Sequence, residues 1–251
     1  IKLSVKRVEG YRNFGTKLWS AASYGQMKDC RLDDSYQPED FKLPLNRWIV
    51  SETARTLKSV TKNIETYRFN DAADAIYKFT WDTFCAWYLE LTKPVLNGDD
   101  AAAAEETRAA YAWTLDQILR MLHPFMPFIT EDIWSKTSDT RESMLILADW
   151  PQLPETLIDD AACEEIDTLK SIITNLRSVR ADMNVPPSRK APLIVTNAPN
   201  KAIYRDYAES LDMMGRVSDI EFSDALPDGS IQIVVGDATL GILIADLIDM
   251  D

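Results

Sequence analysis

One face of the first predicted helix carries the residue types best suited to binding chemistry. At about 100° per residue, Lys6 and Tyr24 point in the same direction, and Asn13 and Lys17 lie within about 20° of them. These four positions extend over about 27 Å, since an α-helix rises about 1.5 Å per residue. The small residues between them and the cations beside them are Arg7, Gly10, Arg12 and Ser20. We call this set of residues the first-helix stripe.

The first-helix stripe has the composition of a surface that binds unpaired RNA. Lysine and arginine hold phosphates, an amide reaches base edges, and an aromatic ring offers a stacking surface. Stacking contributes about 1–3 kcal/mol per base, so alanine at Tyr24 is expected to weaken RNA binding by that amount. A solvated helix face with an exposed tyrosine is the alternative interpretation.

The net charge of −13 argues at first against a nucleic-acid partner. The cations are clustered, however: residues 1–28 have a local net charge of +5, and residues 42–68 one of +4. The acidic residues lie elsewhere, with six in 155–167 and four in 237–251. This distribution predicts a basic surface on an acidic protein, although solvated helix faces would account for the same counts.

Composition limits the protein class. With 46% hydrophobic and 27% charged residues, the chain is expected to be a soluble globular protein, and it lacks the apolar run of about 20 residues needed for a membrane span. Three scattered cysteines and one histidine suggest neither a zinc site nor a disulfide framework, and indicate a reducing cytoplasm. We expect Cys30, Cys85 and Cys163 to be small buried hydrophobic residues.

The sequence offers no catalytic constellation. Its eight glycines are scattered, and neither a serine nor a cysteine nucleophile is predicted to lie near the lone His123. Because Pro124 follows His123 at a helix break, a packing role is expected for the histidine. The chain is therefore predicted to hold no catalytic residue, metal or cofactor of its own.

Hydrophobic periodicity predicts a mainly α protein in two parts. Residues 1–150 are expected to form an antiparallel helical bundle, 151–160 a polar linker, and 161–251 a small α+β domain. The predicted bundle helices are 2–27, 44–67, 70–94, 99–124 and a short one through 129–134. The predicted later elements are a helix at 163–183, a helix at 201–214, and strands at 191–196, 219–222, 230–235 and 239–245. The inward face of the first helix is expected to contain Val8, Tyr11, Gly15, Leu18, Trp19 and Ala22.

Four separate motifs occur in order along the chain. The first is residues 6–14 with 17–19, and the second is 67–70, 81–85, 87–91 and 93–94. The third is 123–128 with Glu131 and Trp134, and the fourth is Arg177, Arg180 and 183–188. The first, second and fourth resemble motifs of the valyl-tRNA synthetase family, and the third resembles the helical-bundle signature of class I aminoacyl-tRNA synthetases in general. The resemblance covers essentially all 251 residues and implies a class I synthetase anticodon-binding helical bundle followed by a small α+β domain.

The resemblance also implies a function. Members of the family activate valine with ATP and Mg²⁺ and transfer it to tRNA(Val). The catalytic signatures and the editing domain do not occur in this sequence, and the chain starts at Ile1 within a helical pattern, so we expect an excised fragment without activity of its own. The implied partners are the anticodon stem-loop of tRNA(Val) and the catalytic domain of the parent chain. No membrane partner is implied, and a monomer is expected, ending where a coiled-coil arm would begin.

Within the family, the first bundle helix contacts the anticodon. When this role is carried over by motif, Lys6 or Arg7, and then Lys17, are expected to contact bases or phosphates. Arg12 and Asn13 belong to the same stripe. Tyr24 takes the place of the stacking aromatic, which is usually phenylalanine. Ser23 replaces an arginine common in the family, so an arginine contact beside the ring is not expected. Gly15 and Ala86 also replace bulkier or charged residues.

Two alternatives stay open at this stage. The isoleucyl-tRNA synthetase equivalent shares the bundle, but usually adds a cysteine-rich zinc module and differs in the third-helix motif. A stand-alone, non-catalytic helical module that binds RNA or protein is the alternative from another class. A basic stretch in the second domain could touch tRNA, although a solvated or core-flanking role is equally compatible with its sequence: Lys170, Arg177, Arg180, Arg189 and Lys190.

Overall fold

The structure is a computed structural model that describes the backbone of residues 5–33, 35–138, 141 and 143–243, with side chains from Glu9 onward. The chain divides into two compact units, Ile1–Cys163 and Glu164–Asp251. The first contains helices, and the second contains helices with a four-stranded sheet. The mainly α fold with a small α+β part is therefore confirmed.

The first unit is a bundle of six α-helices and one π-helix among its described residues. These are α1 (Val5–Met27), α2 (Pro44–Glu65), α3 (Phe69–Lys78), the π-helix (Phe79–Tyr88), α4 (Leu89–Asn97), α5 (Ala101–Leu122) and α6 (Pro127–Thr137). Asp100 caps α5 by accepting hydrogen bonds from the backbone N–H groups of Ala102 and Ala103, at 3.1 and 3.0 Å. Short 3-10 turns occur at Pro38–Asp40, Leu145–Leu147 and Glu155–Leu157.

The buried face of α1 is rotated from the predicted one. Tyr11 and Trp19, expected to point inward, are 60% and 39% exposed. The rotation follows from a close crossing with α5, where a Cβ atom on Gly25 would lie 2.7 Å from the ring of Tyr111. The hydroxyl of Tyr111 also donates to the carbonyl oxygen of Ala21 at 2.9 Å. Gly15, Leu18 and Ala22 are buried as predicted, and Phe14 and Ala21 are buried in place of Tyr11 and Trp19. The side chain of Val8, also expected to point inward, lies outside the described part of the structure.

The third predicted helix is longer than expected and changes its hydrogen-bond pattern. It begins at Phe69 instead of at an Asn70 cap, passes through Pro94, and ends at Asn97. A π-helix bonds each N–H to the carbonyl five residues earlier, so residues five apart, such as Phe79 and Phe84, lie on one face. Both rings are buried, which explains why this segment departs from α geometry.

A buried polar network joins three of these helices. The amide nitrogen of Asn46 donates to the Glu106 carboxylate at 2.9 Å and to the Thr107 hydroxyl at 3.1 Å. The Tyr88 hydroxyl donates to the amide oxygen of Asn46 at 2.9 Å, and the backbone N–H of Leu43 donates to Glu106 at 2.9 Å. The network therefore ties α2 and α5 to the last residue of the π-helix.

Residues 151–160, which we expected to be a linker, pack against the bundle. Leu157 is buried in a cluster with Phe41 and Val50. The Ser51 hydroxyl donates to the carbonyl oxygen of Leu157 at 3.2 Å and accepts from the N–H of Asp159 at 2.9 Å. The segment is therefore packed against the bundle, although its polar composition suggested a linker.

The second unit contains α7 (Asp160–Asp182), most of which follows the unit boundary, and a sheet with two short helices. The other elements are β1 (Ala191–Thr196), α8 (Ala202–Asp206), α9 (Ala208–Gly215), β2 (Val217–Phe222), β3 (Ser230–Val235) and β4 (Ala238–Leu243). The strand order is β2-β1-β4-β3, with β1 and β2 parallel and the other pairs antiparallel. The helix expected at 201–214 is interrupted at Tyr207, whose hydroxyl donates to Glu165 at 2.7 Å.

The polar network generates a stability prediction. Asn46→Ala is expected to lower the free energy of unfolding by about 2–4 kcal/mol, because it leaves the buried groups of Tyr88 and Glu106 without their amide partner. Asn63→Ala is the matched control on the same helix, since the side chain of Asn63 makes one long bond of 3.5 Å to Ser59. Denaturant unfolding of both variants measures the difference, and equal effects would contradict a special role for the network.

Buried thiols and phenols generate a pH prediction. Burial raises the pKa of Cys30 to about 12 and that of Cys85 to about 11, and it also raises the pKa of Tyr88 and Tyr111. Each group is neutral in the folded protein and ionises first in the unfolded chain. Below about pH 8, which is lower than the pKa of a thiol in the unfolded chain, these groups contribute their full stabilisation. This stabilisation is lost as the pH rises through the pKa values of the groups in the folded protein.

The melting temperature is therefore expected to fall between pH 8 and pH 11. Each group contributes up to about 1.4 kcal/mol of destabilisation per pH unit above its unfolded pKa. The variant Cys30→Ala should show a shallower decline than the original chain, as measured by circular dichroism at matched ionic strength. An identical pH slope in both proteins would exclude Cys30 as a source of the effect.

Candidate nucleic-acid interface

The predicted site residues lie along α1, with different degrees of exposure. Lys6 and Arg7 are within the helix, but their side chains lie outside the described part of the structure. Arg12 and Asn13 are exposed on the surface of the helix. Lys17 is half-buried, and its ammonium group lies 4.1 Å from the centroid of the Trp81 ring. Of the described cations of the first-helix stripe, Lys17 thus lies beside the π-helix.

Tyr24 is placed differently from a free stacking ring. It is half-buried, with its centroid 6.2 Å from that of Tyr111. Burial is the main cause that raises the pKa of Tyr24, with nearby Cys30 and Glu90 adding to it. The ring of Tyr24 therefore packs at the edge of the bundle.

The two basic segments found in the sequence differ in how many of their cations form ion pairs. Among residues 42–68, Arg47 pairs with Asp159, Arg55 with Glu52 and Asp160, Lys58 with Glu155, and Arg68 with Asp71. Across the described residues, in contrast, none of the ion pairs involves Arg12 or Lys17. Four of the six cations in the second basic segment are thus paired with acidic residues, whereas Arg12 and Lys17 of α1 are not in any of the described ion pairs.

The basic stretch of the second unit also serves internal contacts. The guanidinium of Arg180 is buried and donates to the carbonyl oxygens of Pro186 and Arg189. Arg177 donates to the carbonyl oxygen of Met214 at 2.8 Å, and Lys190 pairs with Asp212. These contacts agree with the core-flanking alternative and give no reason to place RNA on this stretch.

Sequence reasoning missed a group of aromatic rings next to Lys17. Tyr77 and Trp81 are nearly parallel, at an interplanar angle of 8° with centroids 5.9 Å apart. Phe14 of α1 stacks with Tyr77 at 4.8 Å and with Trp81 at 6.4 Å. Trp81 is only half-buried. The 100° helical wheel could not place it, because the π-helix changes the angle between successive residues.

An apolar groove of about 790 Å³ adjoins these rings. It lies between α1, α3 and the end of α5, and its lining includes Gly10, Tyr11, Tyr77, Phe125 and Met126. A Cβ atom on Gly10 would meet nothing within 4 Å, so this side of the groove is open. Asn70 and Asp74 add polar groups to the lining.

The remaining candidates for chemistry have structural roles. A ring nitrogen of His123 lies 2.8 Å from the Thr130 hydroxyl, and Cys30, Cys85 and Cys163 are buried free thiols. In the part of the chain that is described, no three His, Cys, Asp or Glu side chains are grouped so that they could hold a metal ion. The described helices are also too short or too polar to cross a lipid bilayer.

A helical bundle that carries unpaired cations and half-buried aromatic rings has groups suited to contact phosphates and unpaired bases. Residues 46–195 match the family described as the anticodon-binding domain of tRNA ligase, which is more than half of the chain. The chain belongs to this family.

Relatives that match the whole chain carry the name valine–tRNA ligase. Those of Caulobacter vibrioides, Rhizobium meliloti and Brucella suis are 48%, 46% and 44% identical to it, and each alignment covers 100% of this chain. The chain spans only 27–28% of the length of these relatives. The alignments include α1, which precedes the residues matched to the domain family.

The charge distribution generates a prediction for Lys17. Lys17→Ala is expected to weaken binding of an anticodon stem-loop RNA and to reduce the slope of log K against log salt by roughly one unit, because one phosphate contact is lost. Lys58→Ala is the matched control, since Lys58 is exposed but already pairs with Glu155. Fluorescence anisotropy over a series of salt concentrations measures both slopes. If Lys58→Ala changes the slope as much as Lys17→Ala, the assignment to α1 fails.

Proposed function

We propose that this chain is the region of a valine–tRNA ligase that binds the anticodon stem-loop of tRNA(Val). The supporting observation is that Arg12 and Lys17 are exposed or half-exposed on α1 and unpaired among the described residues, in a chain that aligns end to end with relatives of that name. The cations would contact phosphates, and Asn13 would reach base edges. Lys6 and Arg7, which precede them on the same helix, extend the proposed surface.

The parent protein would attach valine to tRNA(Val) with ATP and Mg²⁺, using a catalytic domain outside this chain. The fragment would therefore be inactive alone and need no cofactor. We further propose that it acts as a monomer in the cytoplasm, where its three buried cysteines would stay reduced. Valine-dependent exchange of pyrophosphate into ATP by the isolated chain would contradict this division of labour.

The two alternatives are less well supported. A stand-alone module does not account for alignments that cover this whole chain but little more than a quarter of each relative. An isoleucyl equivalent does not account for relatives named for valine at 44–48% identity. The valine-specific interpretation is therefore the one that we test.

Specific recognition gives the decisive experiment. The chain is expected to bind a tRNA(Val) anticodon stem-loop more tightly than a stem-loop of the same length with a scrambled anticodon. Each lost base-edge hydrogen-bonding contact costs about 1–3 kcal/mol, so a difference of at least roughly fivefold is expected. Anisotropy titrations at one fixed salt concentration provide the comparison. Equal affinities would reduce the proposal to general RNA binding, and a lack of binding to both would reject it.

A further inference from the structure

We propose that Trp81, supported by Tyr77, is the ring on which an unpaired base of the bound RNA stacks. In the free protein, the ammonium group of Lys17 covers this ring. On binding, Lys17 turns to a phosphate and the base takes its place. This inference rests on the proposed function and adds to it a specific stacking residue, which none of the sequence motifs assigned.

The first step of the argument is the availability of the rings. Tyr24 packs with Tyr111, so a base could stack on it only after the edge of the bundle rearranged. Trp81 is half-buried, and the group over its ring is the flexible side chain of Lys17, 4.1 Å from the centroid. A surface lysine changes rotamer at little cost, whereas a packed tyrosine does not.

The second step is the exchange of partners. A cation–π contact near the surface is a weak interaction, and the stacking of a base on an aromatic side chain is stronger. The displaced ammonium group regains a partner in the phosphate backbone, which follows the base. Lys17 thus keeps a charge partner, while Trp81 gains a larger stacking surface.

The third step is the rigidity of the platform. Phe79 and Phe84 bury their rings on the inner side of the π-helix, and Tyr88 anchors its end through Asn46. π-Helical turns often occur at functional sites, where they place a side chain that an α-helix would point elsewhere. Phe14 and Tyr77 pack around Trp81 as near-parallel neighbours. The ring is therefore held in a fixed orientation before RNA arrives.

The fourth step concerns the identity of the ligand. Lys17 supplies positive charge over the ring of Trp81, and Arg12 is exposed on the same helix, which suits a phosphate-bearing chain. Asn70 and Asp74 in the adjoining groove offer an amide and a carboxylate, the groups that hydrogen-bond base edges. The positive charge of Lys17 over the ring suits the phosphates of RNA better than it suits an apolar protein segment, so a base of RNA is the better occupant.

The test uses the 251-residue chain and stem-loops of the tRNA(Val) anticodon arm with 2-aminopurine at one loop position at a time. With the original chain, the fluorescence at one position is expected to change strongly on binding. Trp81→Leu should abolish that change and weaken binding roughly 5- to 100-fold. Trp81→Phe should retain the fluorescence change and bind within about threefold of the original chain, because it keeps an aromatic face.

Two controls separate stacking from folding. Trp113→Leu alters another half-buried tryptophan, which packs beside Phe41 and Val50, and should leave both affinity and fluorescence unchanged. Should Trp81→Leu fail to fold, photocrosslinking of the original chain to a loop containing 5-iodouridine replaces it, and the crosslink is expected at Trp81.

The outcomes are distinct. If the original chain binds no stem-loop, the proposed function and this inference fail together. If it binds, and Trp81→Leu retains both affinity and the fluorescence change, the inference fails while the proposed function stands. A crosslink at Tyr24, or loss of the fluorescence change in Tyr24→Leu but not in Trp81→Leu, would identify Tyr24 as the stacking ring.

Discussion

The buried amide of Asn46 is the constraint on which the candidate site depends. It sits between the Glu106 carboxylate and the Tyr88 hydroxyl, and both groups would be costly to bury without it. Its hydrogen bonds fix the end of the π-helix relative to α2 and α5. Trp81 is in the same π-helix, so the network also determines where that ring meets α1. A polar contact in the core thus positions a ring near the surface.

The close crossing of α1 and α5 supplies the second part of the site. Gly25 allows the helices to approach until Tyr111 fills the space where a Cβ atom would be. This contact sets the rotation of α1, which buries Phe14 and leaves Arg12 and Asn13 in solvent. Hydrophobic periodicity alone predicted that Tyr11 and Trp19 would be buried, because it does not include this contact between α1 and α5.

Regular helices and strands were predicted well from the sequence, whereas departures from regular geometry were predicted poorly. The bounds of β1 and β3 agree with the prediction, because β1 is a nearly continuous buried apolar run and the second half of β3 alternates between exposed and buried residues. The helices were also located from their periodicity. The π-helix was missed, since its period depends on which rings the tertiary structure buries. Pro94 was expected to end a helix, but buried Leu91 and Leu96 on either side stabilise the turn around it.

The sequence predicted which helix carries the candidate site and which of its side chains are polar, but not the contacts that these side chains make. Helical periodicity predicted a polar surface that includes Arg12 and Asn13, which are exposed, and Lys17, which is half-buried. It could not show that Tyr24 packs on Tyr111 or that Lys17 covers Trp81, since both contacts join segments that are distant in sequence. The pairing of basic residues in α2 with Glu155, Asp159 and Asp160 is non-local for the same reason.

Under the proposed function, the acidic net charge would also affect how RNA binds. Acidic residues pair with four of the six cations in 42–68, which leaves fewer free positive charges there for phosphates. The remaining excess of carboxylates would repel RNA from most of the protein at low ionic strength, while Arg12 and Lys17 would attract it to α1. A protein with −13 net charge would therefore offer few productive orientations to a polyanion. Negative charge elsewhere and the unpaired cations of α1 would together favour a single docking geometry over general RNA binding.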